Sequence, residues 1–218
     1  MVIPYKEIIC AEEKLHLLPH KALYWVAAKT LVLADLHLGK TAYFRKSGIP
    51  IPNTVMQDDL KRLHTTLQIY SIKKMIVVGD MFHHNYNADI EYFKQWRQQY
   101  PQLIIELVPG NHDKLLKMDY AALNIVVKKE KYFLAPFVFE HEHTENDTNY
   151  FTICGHIHPG YKMEGKAKQS LRLPCFLKSS NCLILPAFSN FTGLSTRYFT
   201  TENNQYFVIG NGKIHTLQ

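Results

Sequence analysis

The stretch TLVLADLH (residues 30–37) is an apolar run that ends on two side chains able to bind a metal ion. Residues 30–34 have the composition of a buried strand, and Asp35 and His37 follow at its end. In sheets with crossover helices, ligand sites form beyond the carboxyl ends of the strands. This stretch therefore predicts a strand of a central sheet with a polar site at its carboxyl end.

The same pattern occurs twice more between residues 53 and 113. Two stretches carry apolar residues at a helical spacing, and each is followed by a short apolar run typical of a buried strand. GD (79–80) follows the first run and GNHD (110–113) follows the second. The order predicts a βαβαβ unit, and hence a parallel or mixed sheet with helices packed on it. The predicted helix stripes are Met56, Leu60, Leu63, Leu67 and Tyr70, after Asn53 as a cap, and Ile90, Phe93, Trp96 and Tyr100, in a helix that begins near Asn87; the predicted strands are 75–78 and 103–105.

The second half of the chain contains few helical patterns. From about residue 124 its apolar runs are short and strand-like, and Gly210-Asn211-Gly212 supplies a hairpin turn near the end. A second sheet, packed face to face with the first, accounts for these runs. We therefore predict an α/β sandwich of two mixed β-sheets flanked by helices, in one domain over residues 1–218. The predicted strands are 125–127, 132–140, 150–154, 171–177 and 182–185.

Five polar clusters each follow an apolar run, so we expect them to converge at one edge of the sandwich. In Asp35-x-His37 and His156-x-His158, the two-residue period of a strand would send both side chains to the same side. Carboxylate, amide and imidazole ligands together suit Mn, Fe or Zn, and the absence of a thiolate argues against structural zinc. Seven ligands are too many for one ion and fit two ions that share a carboxylate. The candidate ligands are Asp35, His37, Asp80, Asn111, His141, His156 and His158.

The composition limits the setting in which such a site works. The formal net charge is +6 and the sequence pI is about 9.0, which favours anionic partners such as nucleic acid or phosphorylated substrates. Glu12, Glu13 and Lys14 interrupt the apolar N-terminal stretch, so we expect no signal peptide. No apolar run approaches the roughly 18 residues that a membrane-spanning helix needs. The four cysteines lack CxxC spacing, which predicts reduced thiols and a cytoplasmic protein.

In combination, the motifs DLH (35–37), GD (79–80), GNHD (110–113), a histidine after a strand (141) and GHIH (155–158) resemble those of the calcineurin-like metallophosphoesterase superfamily. The resemblance implies a four-layer sandwich and two metal ions in one centre. The implied ligands are Asp35, His37 and His158 for one ion, Asn111, His141 and His156 for the second, and Asp80 as the bridge between them.

The resemblance also implies the chemistry. A metal-bound hydroxide would attack phosphorus, and His112 would protonate the leaving oxygen or stabilise the transition state, with Asp113 orienting the ring of His112. GDMFH (79–83) is similar to an element of the DNA-repair nucleases of this superfamily. His83 either contributes to nuclease action in that element or forms hydrogen bonds around the metal ligands.

Longer stretches resemble the ligase-associated DNA damage response endonuclease family, PdeM. That family usually has a proline two residues after the strand-end histidine; this chain has His143 there, and we choose His141 as the ligand. Membership would imply bacterial origin, Mn²⁺ as the metal, cleavage of DNA phosphodiesters, and functional association with an ATP-dependent DNA ligase, a helicase and an exonuclease. The matching stretches are ADLHLGKTAYFRKSGIPIP (34–52), GDMFHH (79–84), PGNHD (109–113), CGHIHPG (154–160), LRLPCF (171–176) and LPAFSNFTG (185–193).

Cations near the motifs are candidate substrate contacts. Lys40 and Arg45 follow His37 and are predicted to hold phosphates, although Arg45 has the alternative of pairing with an acid. A basic stretch leaves the site after His158 and either tracks a DNA backbone, with Arg172 as a contact, or is a solvated loop. Its charged residues are Lys162, Glu164, Lys166, Lys168, Arg172 and Lys178.

Three functions fit these features. The leading prediction is a two-metal DNA endonuclease of DNA repair. The alternative is a phosphodiesterase or pyrophosphatase that acts on a nucleotide or another small metabolite, because the same site serves that chemistry and the chain has no room for a large capping domain. A scaffold without activity is disfavoured, because the chain keeps every ligand and His112.

Overall fold

The computed structural model describes residues 3–52, 54–83, 86–114, 117–144, 150–166, 169–196 and 204–217. The predicted cap at Asn53 and the predicted contact residue Lys168 lie outside these ranges. In the described part of the chain, the strands form two sheets, and the helices precede residue 124.

The first sheet confirms the predicted βαβαβ unit and extends it on both sides. The three strands of this unit run parallel to one another, and so does the strand that follows them. The three N-terminal strands pair antiparallel and were not predicted. The sheet is therefore mixed. In spatial order its strands are β1 (Lys6–Cys10), β2 (Glu13–Leu18), β3 (Ala22–Trp25), β4 (Thr30–Leu33), β5 (Lys74–Val78), β6 (Ile104–Val108) and β7 (Ile125–Val127).

The helices bury the apolar stripes that the sequence predicts. Met56, Leu60 and Leu63 of the first long helix are buried, and Ile90 and Phe93 of the next pack in the same core cluster. Among the described residues, no helix combines the length and the apolar character needed to cross a membrane. The helices are α1 (Lys40–Lys46), α2 (Thr54–Ile69), α3 (Ala88–Gln98) and α4 (Asn111–Lys114), with a 3-10 turn at Ala121–Leu123.

The second sheet differs from the sequence prediction in several places. Gly160–Glu164 is a strand that was not predicted. The run 132–140 is a hairpin of two strands, because Pro136 has no N–H with which to continue a ladder. Ile125–Val127 belongs to the first sheet, because it continues the parallel register beside β6. The turn at 210–212 is confirmed. The strands are β8 (Lys131–Leu134), β9 (Phe137–Glu140), β10 (Phe151–Cys154), β11 (Gly160–Glu164), β12 (Ser170–Lys178), β13 (Cys182–Ile184), β14 (Gln205–Gly210) and β15 (Lys213–Leu217), in the spatial order β15-β14-β12-β13-β10-β9-β8 with β11 paired to β12.

Both faces of the first sheet are buried, which explains why its central strands are largely apolar. Leu31 and Leu33 of β4 lie in the core cluster on the side of the helices, whereas Val32 of the same strand lies in the cluster that contains Phe139 and Ile153 of the second sheet. The predicted face-to-face packing of two mixed sheets flanked by helices is confirmed. This packing brings the carboxyl ends of β4, β5 and β6 to the carboxyl ends of β9 and β10.

Candidate metal centre

The predicted ligands lie where the strands end, but not in extended backbone. Asp35 and His37 have φ angles of 57° and 49°, and His156 and His158 have 72° and 49°. The expectation that a strand period aligns these pairs is therefore wrong: each residue is in the left-handed region. Asp80 shares this conformation, with φ of 48°. Such backbone costs a non-glycine residue on the order of 1 kcal/mol or more and is concentrated at functional sites.

One side of the centre brings together Asp35, His37 and His158. The Nε2 atom of His158 lies 3.3 Å from Oδ1 of Asp35 and 3.4 Å from Nε2 of His37. One ligand atom of each residue lies within 4.8 Å of the others. These are the three residues that the sequence assigns to one ion, and their geometry suits a shared cation.

The other side is built around His141. Its Nε2 atom lies 3.4 Å from Oδ2 of Asp80, 3.9 Å from Oδ1 of Asp35 and 3.3 Å from Nδ1 of His156. Asp35 therefore faces both sides of the centre, while the predicted bridge Asp80 lies beside His141. His143, the neighbour that replaces the expected proline, contacts Glu140 instead, with 3.2 Å from its Nδ1 to Oε1.

Asn111 is the one predicted ligand that is exposed. It begins α4 and lines a cavity of about 150 Å³ together with His141, Lys114 and Lys131. The next residue ties this loop to the centre, because the backbone N–H of His112 donates to Oδ1 of Asp80 at 2.9 Å. The structure thus places Asn111 at the rim of the cluster.

A backbone contact fixes the state of the His141 ring. Its Nδ1 atom lies 3.1 Å from the carbonyl oxygen of Val78, which can only accept a hydrogen bond. The ring therefore carries a proton on Nδ1, and Nε2 is left to face the cluster. A hydrogen bond of this kind to a carbonyl commonly orients a metal-binding histidine.

The electrostatics of the centre favour a positive charge beside the two carboxylates. Burial acts to lower the pKa of His141, but the hydrogen bond to Asp80 and the charges of Asp35 and Asp80 raise this pKa to about 9. Burial acts to raise the pKa of Asp80, yet the hydrogen bond to His141 holds it well below its usual range. Burial and the charge of Lys40 lower the pKa of His37, which is therefore neutral.

The buried donor atoms fit a bound divalent ion. Oδ1 of Asp35 is buried and has no hydrogen-bond partner among the described residues, although imidazole nitrogens face it from two sides. A buried carboxylate oxygen left in this way costs about 1–3 kcal/mol or more, which a cation at the same point would offset. The mixture of oxygen and imidazole donors is the set that Mn, Fe and Zn accept.

Glycine allows the elements to approach this closely. Gly79 has a φ of 79°, and a Cβ atom there would lie 1.9 Å from Nδ1 of His141. A Cβ atom on Gly155 would lie 2.8 Å from Oδ2 of Asp35. The same oxygen accepts a hydrogen bond from the N–H of His156 at 3.1 Å, so residue 155 is part of the wall of the centre.

The predicted catalytic histidines lie together at the mouth of the cluster. The rings of His83 and His112 have centroids 4.2 Å apart, and both are within 5.6 Å of the ring of His37. The side chain of His112 is 40% exposed, and its Nε2 lies 3.9 Å from Oδ2 of Asp80. His112 can therefore reach both the cluster and a bound substrate.

Asp113 does not take its predicted role of orienting the ring of His112. Its buried carboxylate accepts hydrogen bonds from the backbone N–H groups of Met81, Phe82 and Gly110, at 3.0 to 3.2 Å. Burial raises its pKa to about 6, and these N–H groups act in the opposite direction. Asp113 thus fastens the loop after β5 to the loop after β6, and it positions the ligands through the backbone.

The three predicted substrate contacts have different surroundings. Arg45 takes the alternative role, because its Nη2 atom pairs with Oδ1 of the buried Asp89 at 2.9 Å. Lys40 is half-buried, its Nζ lies 5.7 Å from the ring centroid of Phe191, and burial lowers its pKa. Arg172 is exposed on β12, outside the cluster.

A buried polar network behind Asp35 was not predicted. The carboxylate of Asp59 accepts from the N–H of Asn190 at 3.1 Å and from Nη2 of Arg62 at 2.9 Å. The adjacent Ser189 donates its N–H to the carbonyl of Asp35 at 3.1 Å. The signal in the sequence is the pair of charges, three residues apart, within the apolar stripe of α2. The network holds the segment 188–190 against the centre.

Comparisons with known proteins agree with this geometry. A family model described as calcineurin-like phosphoesterase matches residues 28–207. The crystal structure of the Pseudomonas putida nuclease MPE is similar to this chain with a TM-score of 0.82 and 30% sequence identity. That likeness covers 98% of this chain and 100% of the nuclease chain. No curated protein matches the sequence significantly.

Proposed function

We propose that this chain, which belongs to the calcineurin-like phosphoesterase family, is a two-metal nuclease that hydrolyses DNA phosphodiesters. The coarser activity follows from the family: the chain is a metal-dependent hydrolytic phosphoesterase that uses divalent ions. One observation carries the finer proposal. The whole fold is shared, at 30% identity, with a protein that is a nuclease, and the predicted ligands converge in this chain.

The proposed ligands divide between two ions. Asp35, His37 and His158 hold the first, where three donor atoms already converge. Asn111, His141 and His156 would hold the second, with Asp80 shared between the two sides and Asn111 reaching in from the rim of the cluster. Two divalent ions bound there would supply an activated water nucleophile and offset the charge that builds on the phosphoryl oxygens.

The residues at the mouth act on the substrate itself. His112 protonates the leaving oxygen or stabilises the transition state, since its side chain is 40% exposed and its Nε2 lies 3.9 Å from Oδ2 of Asp80. The ring of His83, with its centroid 4.2 Å away, keeps His112 in place. Lys40, on α1, lies near enough to Asp35 and Asp80 for their charges to act on its ammonium group, and it holds a non-bridging phosphate oxygen.

Three features support DNA as the substrate and Mn²⁺ as the ion. The net charge of +6 attracts a polyanion. The side chain of His112 is 40% exposed, so a long chain can approach the cluster from this side. The donors are carboxylate, amide and imidazole, which suit Mn²⁺ as well as Fe or Zn. We place the enzyme in cytoplasmic DNA repair, in functional association with an ATP-dependent DNA ligase, a helicase and an exonuclease.

Cleavage of circular DNA tests the proposal. Purified protein is incubated with supercoiled plasmid and with circular single-stranded DNA, with Mn²⁺ or with chelator, beside a small chromogenic diester. We expect Mn²⁺-dependent cleavage of at least one circular DNA. Intact DNA alongside rapid hydrolysis of the diester would keep the two-metal chemistry and transfer the function to a nucleotide or another small metabolite.

A further inference from the structure

The strands β11 and β12 form a ribbon that leaves the second sheet beside the metal centre. In the described residues, β11 pairs with β12 alone, in a register that runs from Gly160 opposite Pro174 to Glu164 opposite Ser170. The first residue of β11 follows His158 by two positions. The outer part of the ribbon, from residue 162 to residue 172, is exposed where the structure describes it.

The two faces of the ribbon differ in chemistry, because side chains alternate between faces along each strand. Tyr161 and Leu173 lie opposite each other on an apolar face. This face packs on β14 at its base, where the ring centroids of Tyr161 and Tyr206 are 5.2 Å apart. Lys162 and Arg172 lie opposite each other on the other face, which is cationic.

A pair of like charges directly across two strands destabilises the pairing. Here Glu164 offsets part of the repulsion, since its Oε1 lies 2.5 Å from Nζ of Lys162. Arg172 has no acidic partner in the described part of the chain, and Lys166 adds a further exposed cation near the tip. The ribbon therefore carries uncompensated positive charge that its own folding does not need.

The segment 188–195 runs from the metal centre to the base of the cationic face. Gly160 lies on this face, and a Cβ atom there would lie 2.8 Å from Cβ of Leu194. The next residue of that segment, Ser195, donates its N–H to the carbonyl of His158 at 3.0 Å and accepts from the N–H of Gly160 at 2.8 Å. Residue 189 of the same segment is bonded to Asp35. One hydrogen-bonded segment thus connects the metal centre to the base of the cationic face.

We infer that the ribbon is an arm that binds the sugar–phosphate backbone of DNA beyond the bond that is cut, through Lys162 and Arg172. This inference rests on the proposed nuclease function. Lys162 follows His158 by four positions, which allows a separation of at most roughly 13 Å. That distance corresponds to a few nucleotides at most, so the arm holds flanking phosphates.

The test compares charge-reversed arms with a matched control. The arm variant is Lys162→Glu with Arg172→Glu, and the control is Lys29→Glu with Lys73→Glu. Both control residues are exposed and lie at the amino ends of β4 and β5, opposite the centre. Each holoenzyme is assayed for kcat/KM on a labelled DNA oligonucleotide at several salt concentrations, and on a small chromogenic diester in the same preparation.

The arm variant should lower the ratio of kcat/KM for DNA to that for the diester at least tenfold. The slope of log kcat/KM against log salt should become less steep by about 1.4–1.8, as expected for two lost phosphate contacts. Glu164→Lys should shift both quantities in the opposite direction. An arm variant that behaves like the control would overturn the inference while leaving DNA cleavage intact. Wild-type protein that hydrolyses the diester and no DNA would overturn the proposed function, and the inference with it.

Discussion

The Nε2 atom of His141 lies 3.4 Å from Oδ2 of Asp80, although the two residues follow strands of different sheets. The contact is buried: each side chain is 6% exposed or less. The metal centre is therefore also the place where the carboxyl ends of strands from the two sheets meet. A change that alters this contact should affect binding of the ions and stability together.

Gly79→Ala should separate His141 from Asp80. The new Cβ atom would meet the His141 ring at 1.9 Å, and the φ of 79° is unfavourable for alanine. We expect the free energy of unfolding to fall by about 1–3 kcal/mol and diester hydrolysis to fall at least about tenfold. Chemical denaturation in chelator and a diester assay measure the two effects. Gly193→Ala is the control, because nothing lies within 4 Å of its added Cβ. Equal behaviour of the two variants would contradict the account.

His112→Ala should slow the reaction most for poor leaving groups. If His112 gives a proton to the leaving oxygen, its loss costs roughly 100- to 10,000-fold for an alkyl leaving group and far less for a nitrophenolate. The measurement is the rate for a series of diesters whose leaving groups differ in pKa, with metal content determined on the same samples. A uniform loss across the series would assign His112 to stabilising the transition state instead.

Arg45→Met should reduce stability without a selective loss of DNA cleavage. Its guanidinium joins α1 to the buried carboxylate of Asp89, which also accepts from Oγ1 of Thr41 at 2.6 Å. Removing a hydrogen bond to a charged group costs about 1.5–3 kcal/mol, and thermal or chemical unfolding detects this. Lys46→Met, an exposed position in the same helix, is the control. A raised KM for DNA at unchanged stability would restore Arg45 as a phosphate contact.

The contribution of Lys21 to the free energy of unfolding should become more favourable as the pH rises above about 8, because its buried ammonium group then loses its charge. Burial and the charge of the nearby Arg62 lower its pKa from 10.5 to about 8, with Asp59 acting in the opposite direction, and its Nζ donates to Oδ1 of Asn190 at 2.9 Å. Between these two pKa values the unfolded chain binds the proton and the folded chain does not. Stability relative to Lys21→Met should therefore rise with pH across this window, by at most about 1.4 kcal/mol per unit. Denaturation of both proteins at several pH values checks this, and a constant difference would contradict it.

The central part of the fold was predictable because its signals are local. The strands β4, β5 and β6 are short and mostly apolar, and α2 and α3 carry apolar residues at the helical period. The strands β1 and β2 were missed because polar residues interrupt their apolar positions: Leu15 and Leu17 of β2 are buried, while His16 between them is partly exposed. β3 is an apolar run of only four residues, which periodicity cannot assign. The break at Pro136 was missed because apolar residues flank it on both sides.

The site was predictable in composition and less so in geometry. Motif spacing identified residues that do converge, since polar side chains at parallel strand ends must share one edge. The left-handed backbone of Asp35 and His37 has no signal of its own in the sequence, because neither residue is glycine. The bond between Arg45 and Asp89 and the anchoring of loops by Asp113 depend on which loops become neighbours. Only the packed structure defines that.

Asp80→Asn distinguishes a two-metal nuclease from the alternatives, when the number of bound ions and the cleavage of DNA are measured on one preparation. We expect that wild-type protein loaded with Mn²⁺ carries two ions per chain and cuts circular DNA. We expect Asp80→Asn to bind fewer ions and to lose cleavage by more than the roughly 10- to 100-fold caused by changes outside the ligands. Asp58→Asn, an exposed carboxylate on α2, should behave as wild type. Wild-type protein without bound ions, or an Asp80→Asn variant that binds two ions and cuts DNA normally, would contradict the account.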